Sequence, residues 1–118
     1  MKPLWNLTLH EQGVREIALA AIFGFNLEVV PRCEEVPEGQ SGLQSATGRL
    51  AAALAACHHA GAAALIGGHT GLWVATILEM RERSVPLPPL YCFDTRRRRD
   101  ENGRFQFIAE GLLRVAEG

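Results

Sequence analysis

The sequence predicts an α/β fold: three layers, with a mostly parallel sheet of about five strands that ends in an antiparallel hairpin. Three observations carry this. Strand-like and helix-like segments alternate from the start of the chain to about residue 90, the pattern of helices crossing over a parallel sheet. Ala62 to Ile66 is an unbroken apolar run bounded by glycines, as expected of a central strand buried on both faces. Near the end, two β-compatible runs flank Asp100-Glu101-Asn102-Gly103, which has hairpin-turn chemistry.

The elements follow in order. Leu4 to Leu9 is the first strand, and Thr8-Leu9-His10-Glu11 matches a capping box that opens a helix. Val14, Ile17, Ala18, Ala21 and Ile22 fall at the spacing of one helical face, and Gly24 ends that helix. Asn26 to Val30 is the second strand, stopped by Pro31. Residues 31–42, with two prolines, two glycines and several acids, form a loop. Ser41-Gly42-Leu43-Gln44 is a second capping-box candidate for an Ala-rich helix to about Ala60. That helix carries Leu50, Leu54 and Cys57 on one face and Gly61 as its C-terminal cap. After the third strand, Gly67-Gly68-His69-Thr70-Gly71 is a tight turn. A helix from Leu72 to Arg83 follows, with Trp73, Ile77 and Met80 on one side, ended by Pro86, Pro88 and Pro89. Leu90 to Asp94 is the fourth strand, continuing through Thr95 into the arginines 96–99. Arg104 to Ile108 is the fifth, with Leu112 to Val115 as its extension.

Bulk properties bound the function. The 118 residues, 47% hydrophobic and 21% charged, suit one domain over residues 1–118 with a single real core. A formal net charge of −1 supplies no global basic field for duplex DNA or a membrane surface. Cys33, Cys57 and Cys92 lie far apart, with no metal-binding or redox spacing, and an odd count fits free thiols in a reducing compartment. No metal site and no cofactor is expected. The N-terminus lacks the apolar core of a signal peptide and no run is long enough to cross a bilayer, so the expected location is cytoplasmic.

In an open parallel sheet, ligands bind beyond the carboxyl ends of the strands. Three segments should meet there: Thr8-Leu9-His10, Gly67 to Gly71, and Asp94-Thr95-Arg96. The glycine turn lets the backbone approach a ligand, and the helix N-terminus behind it favours an anion such as phosphate. GGHTG is neither a Walker motif nor GxGxxG, and equally reads as a simple strand-to-helix turn. His10 and His69 are candidates for phosphate binding or acid–base work, or are solvated surface residues. Thr8 and Thr70 are helix N-cap candidates whose hydroxyls could also orient a sugar or phosphate. On a strand, alternate members of the arginine run 96–99 face opposite ways, so at most two reach one site. His58 and His59 suit the C-terminal end of the second helix dipole. Trp5 and Trp73 read as core or as a subunit interface.

The layout of Asn6-Leu7-Thr8-Leu9-His10-Glu11-Gln12, of Ala64-Leu65-Ile66-Gly67-Gly68-His69-Thr70-Gly71, and of Pro89-Leu90-Tyr91-Cys92-Phe93-Asp94-Thr95-Arg96 with Glu101-Asn102-Gly103-Arg104 resembles a known family. These are the small stand-alone CARF-related proteins of type III CRISPR loci, which include ring nucleases. The last strand departs from that pattern, with Ile108-Ala109-Glu110 where the family often has a histidine. The resemblance implies a Rossmann-like homodimer that binds a cyclic oligoadenylate, cyclic tetra-adenylate above others, on its two-fold axis. It implies metal-independent cleavage by a ribose 2′-OH, which would switch off antiviral CRISPR signalling. It assigns phosphate contacts to Gly67, Gly68 and Thr70, orientation of ribose or phosphate to Thr8 and Thr95, acid–base work to His10 or His69, and charge stabilisation to Arg96. Two other readings stand beside it: a protein that holds such a nucleotide without cutting it, and a regulatory subunit that docks a protein through Trp73 and the arginine hairpin.

Overall fold

The computed structural model describes residues 1–8, 10–30 and 39–116. The loop expected at 31–42 and Cys33 therefore fall largely outside the described residues, as does Leu9. Eight elements follow one another: β1 (Lys2–Asn6), α1 (Val14–Ile22), β2 (Phe25–Val29), α2 (Gly39–His59), β3 (Ala63–Leu65), α3 (Thr70–Glu82), β4 (Leu90–Arg99) and β5 (Phe105–Ala116). The five strands form one sheet in the order β2-β1-β3-β4-β5. The first three neighbour pairs are parallel and β4–β5 is antiparallel. This is the expected α/β, Rossmann-like, three-layer arrangement.

β3 is the hinge of the packing. Its alternation sends Ala64, with Ile66 just beyond, to one face of the sheet and Ala63 and Leu65 to the other. The first face packs with Leu50, Leu54 and Cys57 of α2 and Leu72, Trp73 and Met80 of α3. The second packs with Leu4, Ala20 of α1, Phe25 and Leu112. Two alanines in the central strand let helices approach closely from both sides. Gly61, at φ 72°, makes the left-handed turn from α2 into β3, a conformation that costs a residue with a Cβ.

Several local expectations change. The Thr8–Glu11 capping box does not form. The cap of α1 is Gly13, whose N–H donates to Glu16 Oε2 at 3.1 Å. The buried residue of α1 is Ala20, while Val14 and Ile22, on the expected apolar face, are exposed. The reason is geometric: a single helix on the α1 side touches the sheet along a narrow line, and small Ala20 allows the closest approach. Ser41 to Gln44 lies inside α2, which starts at Gly39, so it caps nothing. The fifth strand and its extension are one continuous strand of 12 residues.

β4 and β5 outrun the rest of the sheet. β3 pairs with β4 only at Leu90 and Tyr91, yet the β4–β5 ladder continues to Arg99 and Phe105. The outer half is a two-stranded arm, exposed along β4 from Thr95 to Arg99. Asp100 staples its turn. Asp100 Oδ1 accepts from the N–H groups of Asn102 (2.9 Å) and Arg104 (2.8 Å), and Oδ2 accepts from Gln106 Nε2 at 3.2 Å.

Candidate functional site

Beyond the carboxyl ends of β1, β3 and β4 lies a cleft of about 290 Å³. Thr8, His10, Glu11 and Gln12 line it from the β1–α1 loop, Ile66, Gly67 and Gly68 from the β3–α3 turn, and Cys92, Phe93 and Thr95 from β4. The three expected segments therefore meet. A smaller pocket of about 120 Å³, lined by Asn6, Ile17, Leu27 and Val29, shares Glu11 and Gln12 with it.

The β1–α1 loop is held by a closed hydrogen-bond network around two buried polar side chains, Asn6 and Thr8. Asn6 Oδ1 accepts from the Thr8 N–H at 3.1 Å, and Asn6 Nδ2 donates to the His10 carbonyl at 3.1 Å. A backbone N–H only donates and a carbonyl only accepts, so these two partners fix which way the Asn6 amide points. The Thr8 hydroxyl stands 2.6 Å from Asn6 Oδ1 and 2.8 Å from the His10 carbonyl, both acceptors, so its one proton is spent inside the loop. Its oxygen accepts from the His10 N–H at 3.3 Å and from Gln12 Nε2 at 3.0 Å. Thr8 thus has no hydrogen-bonding capacity left for a ligand. Its role is to shape the loop, which corrects the expectation that its hydroxyl orients one.

The same logic sets Gln12. The atom that meets Thr8 Oγ1, and stands 3.5 Å from the His10 carbonyl, must be the donor nitrogen. Gln12 Oε1 then points away from the network, with no partner among the described residues. The cleft side of the loop offers an acceptor at Gln12, a carboxylate at Glu11 and an imidazole at His10.

The β3–α3 turn is built differently. Gly68 holds φ 97°, reserved in practice for glycine. Trp73 is buried, and its Nε1–H donates to the Gly67 carbonyl at 2.8 Å, pinning the turn to the first turn of α3. A buried, hydrogen-bonded Trp73 is no docking residue, which corrects the interface reading. With the Gly67 carbonyl so engaged, the N–H groups of Gly67 and Gly68 have no acceptor among the described residues. Free N–H groups ahead of a helix start are donors of the kind that suits an anion.

His69, not Thr70, is the N-cap of α3: its Nδ1 accepts from the Leu72 N–H at 3.0 Å. An imidazole accepting at Nδ1 carries its proton on Nε2. Neither His69 nor Thr70 lines the cleft. Thr70 is the first residue of α3, so both belong to the helix start, leaving His10 as the histidine in the cleft.

On β4, Thr95 lines the cleft and Arg96 does not. Successive strand residues face opposite ways, and Arg96 turns to the other face, where its Nη2 meets Asp94 Oδ2 at 3.1 Å. Arg97 is the arginine on the Thr95 face. Cys92 also lines the cleft, and its thiol is held above its ordinary range by burial and then by the Asp94 carboxylate. It is a weak nucleophile. Among the described residues no group of three or more His, Cys, Asp or Glu side chains could hold a metal ion. No helix in the described residues is long and apolar enough to cross a membrane.

Sequence reasoning missed Glu11, Gln12, Cys92 and Phe93 as cleft residues. Glu11 reads in the sequence as part of a helix cap, which does not form. Nothing in the local sequence shows that the cap of α1 lies five residues beyond Thr8, at Gly13. No protein-family model, curated protein or solved structure matches the chain.

Proposed function

We propose that the chain binds a cyclic oligoadenylate at this cleft and opens the ring, as a metal-independent ring nuclease. The observation that carries the reading is the convergence of Gly67-Gly68, His10-Glu11-Gln12 and Thr95 around one cleft at the strand ends. At about 290 Å³ it sits at the lower limit of single-ligand pockets, roughly 300–1,000 Å³. One chain therefore holds about one nucleotide. A ring of several needs a second copy across a two-fold axis, each supplying the same half-site. Val14 and Ile22 on α1, both exposed, offer apolar surface for such a contact.

The chemistry follows from the lining. The N–H groups of Gly67 and Gly68 bind the phosphate and the charge that develops on it. Phe93 offers a base its face, and Gln12 Oε1 accepts from a ribose hydroxyl or an exocyclic amine. Glu11 takes the proton of the attacking 2′-OH, whose oxygen bonds to phosphorus as the bond to the 5′-oxygen breaks. His10 is the group that gives that leaving oxygen a proton. The products are a 2′,3′-cyclic phosphate and a free 5′-hydroxyl. Arg96, paired with Asp94, supplies no charge to the cleft, and the setting is cytoplasmic antiviral signalling.

Calorimetric titration with cyclic tetra-adenylate, followed by chromatography of the products, tests this. One ligand per two chains and a linear product are expected, with turnover lowered about 10²-fold or more in His10→Ala and little changed in His69→Ala. Binding with no product would leave a protein that only sequesters the nucleotide. No binding of rings of three, four or six adenylates would sink the reading.

A further inference from the structure

The β4–β5 arm has two unlike faces. On one, Arg96 meets Asp94 at 3.1 Å, and Arg98 grips Glu110 with two bonds of 2.9 and 3.0 Å. Every arginine of that face has a carboxylate. On the other face, reached by alternation from Thr95, Arg97 and Arg99 have no carboxylate partner among the described residues. They lie instead over Phe105, their guanidinium carbons 3.7 and 4.9 Å from its ring centroid. Phe107, opposite Arg97 in the ladder, is 78% exposed.

We propose that this face, Arg97, Arg99, Phe105 and Phe107, is a docking surface for single-stranded nucleic acid. Arg97 and Arg99 stand about 7 Å apart along the strand, two residues of rise. Their guanidinium groups draw together over the one Phe105 ring, a pair of cations presented to the phosphates of an extended chain. Held over Phe105, their forks are already ordered, so less rotamer entropy is lost on binding. An exposed phenylalanine on a projecting arm has no core to join, and it presents the face that an unpaired base stacks on. Uncompensated cations beside the open ring of Phe107 complement a chain that repeats an anion and a flat base. Two cations are too few to hold the dense charge of a duplex, and the whole chain adds none, at net −1. Thr95 belongs both to this face and to the cleft, so a strand laid on the arm runs toward the cleft. The assignment does not depend on what the cleft itself binds.

The test is fluorescence anisotropy with the whole chain and a short linear oligoadenylate labelled at one end, as RNA and as DNA. The expected result is binding that weakens with salt. Arg97→Gln with Arg99→Gln should lower affinity about tenfold and flatten the slope of log K against log salt by about 1.4, at roughly 0.7 per phosphate contact. Phe107→Ala should also lower it about tenfold, the scale of one lost base stack. Arg96→Gln with Arg98→Gln, on the compensated face, should stay within about twofold. Equal binding of both strands supports recognition through phosphates and bases, and preference for RNA adds a contact to the 2′-hydroxyl. Equal losses in the two double variants would overturn the proposal, because charge rather than this face would be responsible. So would the absence of binding at low salt, or self-association that Phe107→Ala abolishes, which would make a second copy the occupant.

Discussion

The inner and outer halves of the β4–β5 ladder are the same two strands, yet they differ in what covers them. In the inner half, Leu90 and Leu112 are buried and Tyr91 and Phe93 pack against the α1-side core. In the outer half, Thr95 to Arg99 and Phe105 to Phe107 are exposed. Both halves are paired antiparallel, so pairing by itself does not set the difference. Coverage does: α1 reaches as far as Ala109, which is buried and whose carbonyl accepts from Arg15 Nε at 2.9 Å, and further along the arm the side chains face water or a partner. The register breaks at the same place, where Asp94 pairs with Gly111 and Thr95 with Ala109. Glu110 is left as the extra residue of a bulge. It is the carboxylate that pairs with Arg98, so the bulge also neutralises one face of the arm.

The contrast should be largest in stability. Leu90 has no exposure, and Leu90→Ala should cost about 2–5 kcal/mol in denaturant unfolding. A cost below about 1 kcal/mol would show that the inner half is not anchored as described. A second expectation tests the core behind it. Burial raises the Cys57 thiol from its ordinary value near 9.0 to about 11. Between those values the folded chain keeps a proton that the unfolded chain releases, so stability should be level below about pH 9 and fall as pH rises toward 11. Cys57→Ala should remove that decline from a series of melting curves, whatever its effect at pH 7.

His69→Ala should cost about 1 kcal/mol, the usual loss of a helix N-cap. A His69→Asn variant, which can still cap, should recover most of it. The smallest effect belongs to the outer half. Phe107→Ala should change stability by no more than about 0.5 kcal/mol, and a larger loss would mean that the arm is packed rather than presented. Together these measurements separate residues that hold the fold from those that the fold displays.

Much of this was legible in the sequence. The order of elements followed from the alternation of apolar runs and helix-like spacing. The glycine-bounded Ala62–Ile66 run marked the central strand, and Leu50, Leu54 and Cys57 marked the buried side of α2. The convergence of the three strand ends followed from the parallel sheet itself, since every βα turn of such a sheet emerges at one edge. Residue roles inside the cleft were less legible. Thr8, Thr70 and His69 sit next to one another in kind, as polar residues at strand-to-helix turns. Only the hydrogen-bond partners distinguish a loop organiser, a helix residue and a cap.

The sequence by itself determined which segments are strands and helices, because period and turn chemistry are local. It also determined that Arg96 and Arg97 face opposite ways, because a strand alternates. The tertiary structure decided where coverage by helices ends, that Thr8 spends its proton on Asn6 or His10, that Gln12 turns an acceptor outward, and that Asp94 and Glu110 neutralise one face of the arm and leave the other charged. Most of these contacts span only two to four residues, and Arg98 reaches Glu110 across one hairpin, yet each depends on a loop or strand geometry that the packed sheet fixes and that residue spacing does not encode.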